Sequence, residues 1–93
     1  MQKNIIIHTM MPFQPVRISI FGSVARGENT ENSDIDILYR LENAVGLFNL
    51  VRMKDDLEEK LNTKVDLVSE KYIHPKLKPY IVNDLTVIYS NEE

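Results

Sequence analysis

The chain contains the stretch Gly22-Ser23-Val24-Ala25-Arg26-Gly27, followed shortly by Ser33-Asp34-Ile35-Asp36-Ile37-Leu38. Val, Ile and Phe dominate the run from Val16 to Phe21, which predicts a strand that ends at Gly22. A strand leading into a glycine turn and a short helix at Val24 to Arg26 can hold phosphate, because free backbone amides point at the anion. The first stretch therefore predicts a phosphate cradle, with the Ser23 hydroxyl as a further donor.

Two better-known phosphate loops do not fit this stretch. A Walker A loop needs Lys and then Ser or Thr after its second glycine, and here Glu28 and Asn29 follow Gly27. The dinucleotide fingerprint needs a glycine where the chain has Val24. Gly22 and Gly27 alone would be read as ordinary turn residues, so the interpretation depends on the acids that follow.

Asp34 and Asp36 lie two residues apart in a stretch that alternates as a half-buried strand does. The alternation over Asp34 to Tyr39 places both carboxylates on one face, with Ile35 and Ile37 on the other. Two carboxylates this close repel each other unless a cation lies between them. Mg²⁺ commonly takes one or two protein carboxylates together with substrate phosphates and water, so the spacing predicts a metal site.

A third acid, Asp66, lies in the strand-like run from Lys64 to Ser69. On a strand beside Asp34 and Asp36 it would complete a three-carboxylate site for two metal ions. One ion would activate an acceptor hydroxyl and the other would bridge a triphosphate. Asp66 would then be a metal ligand or the general base. The alternative is an edge-strand acid without a metal role.

Together these residues resemble the nucleotidyltransferase superfamily that includes DNA polymerase β, and within it the minimal nucleotidyltransferase branch. The matching positions are Gly22-Ser23, Arg26-Gly27, Asp34, Asp36 and Asp66. The resemblance runs from about Val16 to the end of the sequence. It implies transfer of a nucleoside monophosphate, commonly AMP from Mg-ATP, with Gly22 and Ser23 at the phosphates and the three aspartates holding two Mg²⁺ ions. Arg26 either contacts phosphate or pairs with an acid such as Glu28 or Asp36.

The resemblance also implies a partner. Members of this branch are often encoded beside a HEPN-domain protein, which is helical and often RNase-like, and they resemble antitoxins that adenylylate a partner tyrosine. The leading hypothesis is therefore AMP transfer to a hydroxyl, a tyrosine, of a HEPN-type protein. Two alternatives stay open: an antitoxin that acts by binding alone, and an antibiotic nucleotidyltransferase in which a homodimer supplies the drug-binding surface.

Composition restricts the class of protein. Ninety-three residues with 43% hydrophobic content predict one small domain over 1–93. A net charge of −3 argues against strong sequence-independent binding to nucleic acid. The chain has no cysteine and only two histidines, which excludes disulfides and argues against a zinc site. Met1 to Phe13 lacks the pattern of a signal peptide and no apolar run is long enough to span a membrane, so we expect a cytoplasmic protein.

The remaining pattern predicts an α/β (α+β) domain with a small mixed β-sheet and helices mainly on one face. Apolar residues from Leu47 to Leu61 recur at helical intervals. Pro75 is well placed to start a last helix that runs to about Asn83, and a closing strand covers Leu85 to Tyr89.

Two further segments have a less definite prediction. Gln2 to Met11 forms either a short helix or an extended arm, which Pro12 and Pro15 prevent from continuing as helix. A loose basic cluster surrounds the start of the last helix and is interpreted as a solvated face, with contact to ATP phosphates or an acidic partner as the alternative. Its members are Lys71, His74, Lys76 and Lys78.

Overall fold

The structure, a computed structural model, describes residues 3–22, 34–83 and 85–91, without the side chains of 82 and 83. The helices in this part of the chain are α1 (Lys3–Met10), α2 (Leu47–Leu61) and α3 (Lys78–Asn83). The strands are β1 (Pro15–Phe21), β2 (Ile35–Leu41), β3 (Val65–Ser69) and β4 (Thr86–Ser90). Short 3₁₀ turns cover Met11–Phe13 and Glu70–Tyr72. The helix predicted to start at Val24 lies outside the described residues.

The predicted elements that fall on the described residues are confirmed, with one correction. Each strand begins within one residue and ends within two residues of its predicted bounds, and α2 has the predicted bounds. The opening segment is a helix rather than an arm. Pro75 does not start the last helix, because residues 75–77 form a turn in which the Leu77 amide donates to the His74 carbonyl. The Leu77 carbonyl accepts the first helical bonds, from Tyr80 and Ile81, so α3 begins at Lys78.

The four strands form one mixed sheet in the order β3-β2-β1-β4. β1 is antiparallel to both β2 and β4, whereas β2 and β3 are parallel. Helices α1 and α2 pack on one face, where Met53 and Leu57 of α2 are buried with the apolar side chains of alternate strand positions. Those strand residues include Ile18, Ile20, Ile37 and Val65. We call this the helical face and the opposite one the open face.

The right-handedness of crossovers between parallel strands places the connection from β3 to β4 on the open face. β2 and β4 are each antiparallel to β1, and β3 is parallel to β2, so β4 runs parallel to β3. Crossovers between parallel strands are right-handed in nearly all proteins. The β2–α2–β3 crossover moves one way along the sheet and the β3–β4 crossover moves the other way, so they lie on opposite faces. We call residues 70–83 of this second crossover the strap.

Burial supports this placement of the strap. Leu38 of β2 and Ser19 of β1 alternate with the residues of the helical face, yet both are buried. Ile81 of α3 is also buried and, like Leu38, is not part of the cluster under α1 and α2. At the start of the strap, Arg17 Nε donates to Glu70 Oε2 at 2.7 Å and Arg17 Nη2 donates to Glu70 Oε1. This two-point ion pair ties the strap to β1.

No helix among the described residues has the length and apolar character needed to cross a bilayer.

The Ser19 hydroxyl gives a direct test of packing beneath the strap. Ser19 is fully buried and its Oγ has no hydrogen-bond partner within the described part of the chain. Because an unsatisfied buried hydroxyl costs free energy, Ser19→Ala should leave the free energy of unfolding unchanged or raise it by about 1 kcal/mol in urea denaturation. The neighbouring Ile18→Ala, on the helical face, should lower it by about 2–5 kcal/mol. A large loss of stability in Ser19→Ala would contradict this packing.

Candidate functional site

Two of the predicted acids lie side by side on the open face. In the parallel register of β2 and β3, Asp36 pairs with Asp66. Neighbouring strands are about 4.8 Å apart, and paired residues of parallel strands project to the same face. Ile35 and Val65, one position earlier, project to the helical face, where Val65 is buried. Asp36 is half-buried and Asp66 is exposed. We call Asp36 and Asp66 the acid pair.

Asp34 lies just before β2 and is exposed. The amide of Ile35 donates to the Lys64 carbonyl at 3.0 Å, which fixes the chain next to Asp34 against the start of β3. Across residues 3–22, 34–83 and 85–91, no three His, Cys, Asp or Glu side chains are grouped so as to hold a metal ion. The structure thus brings Asp36 and Asp66 together as neighbours, and the three-acid site stays a prediction.

Gly22 lies directly against the Asp36 carboxylate. Phe21, the last residue of β1, pairs with Asp36, and Gly22 follows with φ at 76°. A Cβ on Gly22 would lie 2.3 Å from Asp36 Oδ2, a distance that real Cβ atoms do not tolerate. Glycine is therefore required at this position both for its backbone conformation and for the space that Asp36 occupies.

The acid pair and Gly22 form one small polar edge that suits an anion carrying a divalent cation. An open backbone at Gly22 permits close approach of a phosphate, and two adjacent carboxylates are what Mg²⁺ usually takes from a protein. Ser23 and Arg26, the other residues predicted to contact phosphate, lie outside the described residues.

A cleft of about 490 Å³ lies at the other end of the strands, and Asp34, Asp36 and Asp66 do not line it. It reaches Leu41, five residues along β2 from Asp36, which corresponds to about 16 Å at the usual rise of a strand. Burial raises the pKa of the Tyr39 phenol in this cleft, a hydrogen bond with Ser69 lowers it in part, and Tyr72 adds to the rise. Tyr39 is therefore a neutral packing residue, and the cleft is not the place where phosphates would meet the acid pair.

Arg17 and Glu70, which hold the start of the strap on the same face as the acid pair, stand out in no sequence motif. Their separation of 53 residues leaves no local pattern to detect. The topology of the sheet is the signal that could have located the strap. The edge strands β3 and β4 are parallel, so the connection between them must be a right-handed crossover on one definite face.

A nucleotidyltransferase domain model matches residues 6–88 of this chain. The chain belongs to the nucleotidyltransferase domain family. It is 45% identical over 82 residues to a Methanocaldococcus jannaschii protein provisionally named a protein adenylyltransferase, covering 88% of each chain. It is 31% identical over 71 residues to the Thermococcus cleftensis protein adenylyltransferase MntA, covering 76% of this chain and 72% of that protein. The family resemblance inferred from the motif is confirmed, and the protein is a nucleotidyltransferase.

Solved structures share the fold of this nucleotidyltransferase. A protein provisionally identified as a minimal nucleotidyltransferase superposes with a TM-score of 0.78 at 34% identity, covering 91% of this chain and 87% of that one. A toxin–antitoxin structure with AMP-PNP gives a TM-score of 0.87 at 23% identity, covering 99% of this chain and 76% of that one. At that identity the second match shows the fold alone. The predicted mixed-sheet, nucleotidyltransferase-like fold is confirmed.

The contact between Gly22 and Asp36 predicts a sharp effect of a single methyl group. Gly22→Ala should lower nucleotidyl transfer by about a hundredfold, because the Asp36 carboxylate must shift to make room for the added Cβ. It should also lower the free energy of unfolding by about 1–2 kcal/mol, because alanine is strained at positive φ. Steady-state kinetics and urea denaturation measure the two effects.

Gly46→Ala is the matched control, since a Cβ there would meet no atom within 4 Å. It should leave both activity and stability near those of the natural sequence. Equal effects of the two substitutions would contradict the role given to Gly22.

Proposed function

We propose that this nucleotidyltransferase moves AMP from Mg-ATP to a tyrosine hydroxyl of a HEPN-type partner protein, as the antitoxin of a toxin–antitoxin pair. One observation carries the proposal: the Asp36–Asp66 pair lies beside the glycine edge at Gly22, on the open face. Carboxylates next to an open backbone suit a metal-bound triphosphate, whereas either feature alone would suit many other ligands. Because ATP is the donor, we place the reaction in the cytoplasm. We also propose that residues 1–93 form one nucleotidyltransferase domain.

The donor set fits Mg²⁺. Asp36 and Asp66 would hold it, with Asp34 joining from the start of β2, and Ser23 and Arg26 would contact the phosphates. Nucleotide phosphates complete the shell of an ion that takes only one or two protein carboxylates, so two Mg²⁺ ions need no preformed three-acid cage. When bound, Mg²⁺ neutralises the triphosphate and activates the attacking oxygen.

The reaction transfers AMP from ATP to the acceptor hydroxyl in one displacement at phosphorus. The acceptor oxygen attacks the α-phosphorus of ATP and forms a new P–O bond. The bond from the α-phosphorus to the oxygen bridging the β-phosphate breaks, and pyrophosphate leaves with the electron pair. Asp66 accepts the proton of the acceptor hydroxyl, a role that suits an exposed carboxylate which a second molecule can reach.

The names of relatives support a protein acceptor. The Thermococcus cleftensis relative is named a protein adenylyltransferase. One structure with the same fold is described as a tri-AMPylated Shewanella oneidensis HEPN toxin in complex with MNT antitoxin, at a TM-score of 0.76 and 21% identity. These descriptions concern those proteins, and for this chain they motivate the choice of acceptor.

Replacing each acid by its amide tests the proposal without changing side-chain size. Asp36→Asn should reduce transfer of labelled AMP to the product of the neighbouring gene, the proposed HEPN-type partner, by about a thousandfold, because a metal ligand is lost. Asp66→Asn should reduce it by about a hundredfold or more, because the general base is lost. Asp55→Asn, an exposed acid on α2, is the matched control and should leave transfer unchanged.

Peptide mapping of the labelled product by mass spectrometry identifies the acceptor residue, which should be a tyrosine. Addition of EDTA should stop transfer and an excess of Mg²⁺ should restore it. Transfer that survives Asp36→Asn would rule out the catalytic role of the acid pair. Neutralisation of the toxin that survives this substitution would instead identify an antitoxin that acts by binding alone.

A further inference from the structure

The strap carries a concentrated positive surface. Residues 71–80 contain three of the chain's 11 Lys and Arg residues and none of its 14 Asp and Glu residues. The chain as a whole has a net charge of −3, so the remainder is distinctly acidic. The surface consists of six side chains, which we call the strap surface: Tyr72, His74, Lys76, Leu77, Lys78 and Tyr80.

Apolar groups of the strap surface are exposed to an unusual degree. Tyr72 is 78% exposed, Tyr80 is 77% exposed and Leu77 is 55% exposed. Val87, which pairs with Ser19 and therefore projects to the open face, is 50% exposed beside the strap. Several large side chains with apolar area, this exposed on one short segment that also carries lysines, are typical of a binding surface rather than of a solvated one.

The strap surface is held in a defined conformation. The Lys76 amide donates to His74 Nδ1 at 3.1 Å, and the Leu77 amide donates to the His74 carbonyl at 2.9 Å. Lys71 Nζ lies 5.8 Å from the centre of the Tyr72 ring, and the Glu70–Arg17 ion pair fixes the start of the strap. A surface that is ordered before binding loses less conformational entropy on association.

The strap also leads toward the acid pair. It begins after Ser69, which pairs with Tyr39 at the far end of the sheet, and ends before Thr86, which pairs with Ile20. Ile20 directly precedes Phe21, the residue that pairs with Asp36. A protein lying along the strap would therefore extend over the open face toward the acids.

We propose that the strap surface docks an acidic face of the acceptor protein and so presents its hydroxyl to the acid pair; this inference rests on the proposed function. Charge complementarity favours an acidic partner, because the strap lysines are the positive side of an otherwise acidic chain. Leu77 and Val87 contribute apolar area that a phosphate backbone would not use, and the acidic remainder of the chain repels a polyanion. These two features favour a protein over a nucleic acid.

Charge reversal at two strap lysines tests the proposal. In the Lys76→Glu/Lys78→Glu protein, the Kd for the product of the neighbouring gene, the proposed HEPN-type partner, should rise about tenfold or more when measured by calorimetry without ATP. The KM for the HEPN acceptor should rise in parallel, while the KM for ATP stays unchanged. The affinity of the natural chain should fall as salt is raised, and the variant should lose much of this dependence.

Lys54→Glu/Lys60→Glu, on exposed positions of α2, makes the same change in net charge and is the matched control. It should alter the Kd by less than about twofold. Equal effects of the two variants, or no binding of the HEPN protein by the natural chain, would overturn the inference. So would strap-dependent binding of a single-stranded RNA oligonucleotide with unchanged affinity for the HEPN protein. Binding without ATP is independent of catalysis, so loss of AMP transfer alone would contradict only the proposed function.

Discussion

Two carboxylates held side by side by the parallel register of β2 and β3 are the constraint on which the rest of the site depends. Asp36 and Asp66 cannot move apart without shifting a strand, because Ile35 and Val65 anchor the same register on the helical face. A one-residue slip would turn every side chain of the strand to the other face. The burial of Ile37 and Val65 thus stabilises the acid pair as firmly as it stabilises the core. Mutual repulsion of the two carboxylates is relieved when a cation binds between them.

The same strand arrangement divides the molecule into two functional sides. Helices α1 and α2 cover the helical face and supply most of the buried apolar surface. The strap must cross the other face, because the two parallel crossovers run in opposite directions along the sheet. It covers Ser19 and Leu38 and leaves Asp66 exposed. A positively charged, partly apolar segment and a pair of adjacent acids consequently share one face, where we propose that recognition of the acceptor and chemistry come together.

Local patterns in the sequence predicted the four strands and α2, and they drew attention to Asp36 and Asp66, which the structure places side by side. Period-two alternation around Asp36 and helical spacing from Leu47 to Leu61 are strong signals, since each side chain reports the face it buries. The predicted start of α3 at Pro75 was wrong. Proline is compatible with a turn as well as with the first turn of a helix, and the hydrogen bonds at His74 and Leu77 favour the turn. The strap's position and the Arg17–Glu70 ion pair depend on contacts between distant residues, which no local pattern encodes.

A crystal structure of this chain with Mg²⁺ and a non-hydrolysable ATP analogue would show whether the open face at the acid pair is the site of nucleotide transfer. We expect Mg²⁺ bound to Asp36, the triphosphate against the Gly22 backbone, and the α-phosphorus within reach of Asp66. A nucleotide bound instead in the cleft beside Tyr39, or on the helical face, with no metal on Asp36, would contradict this expectation.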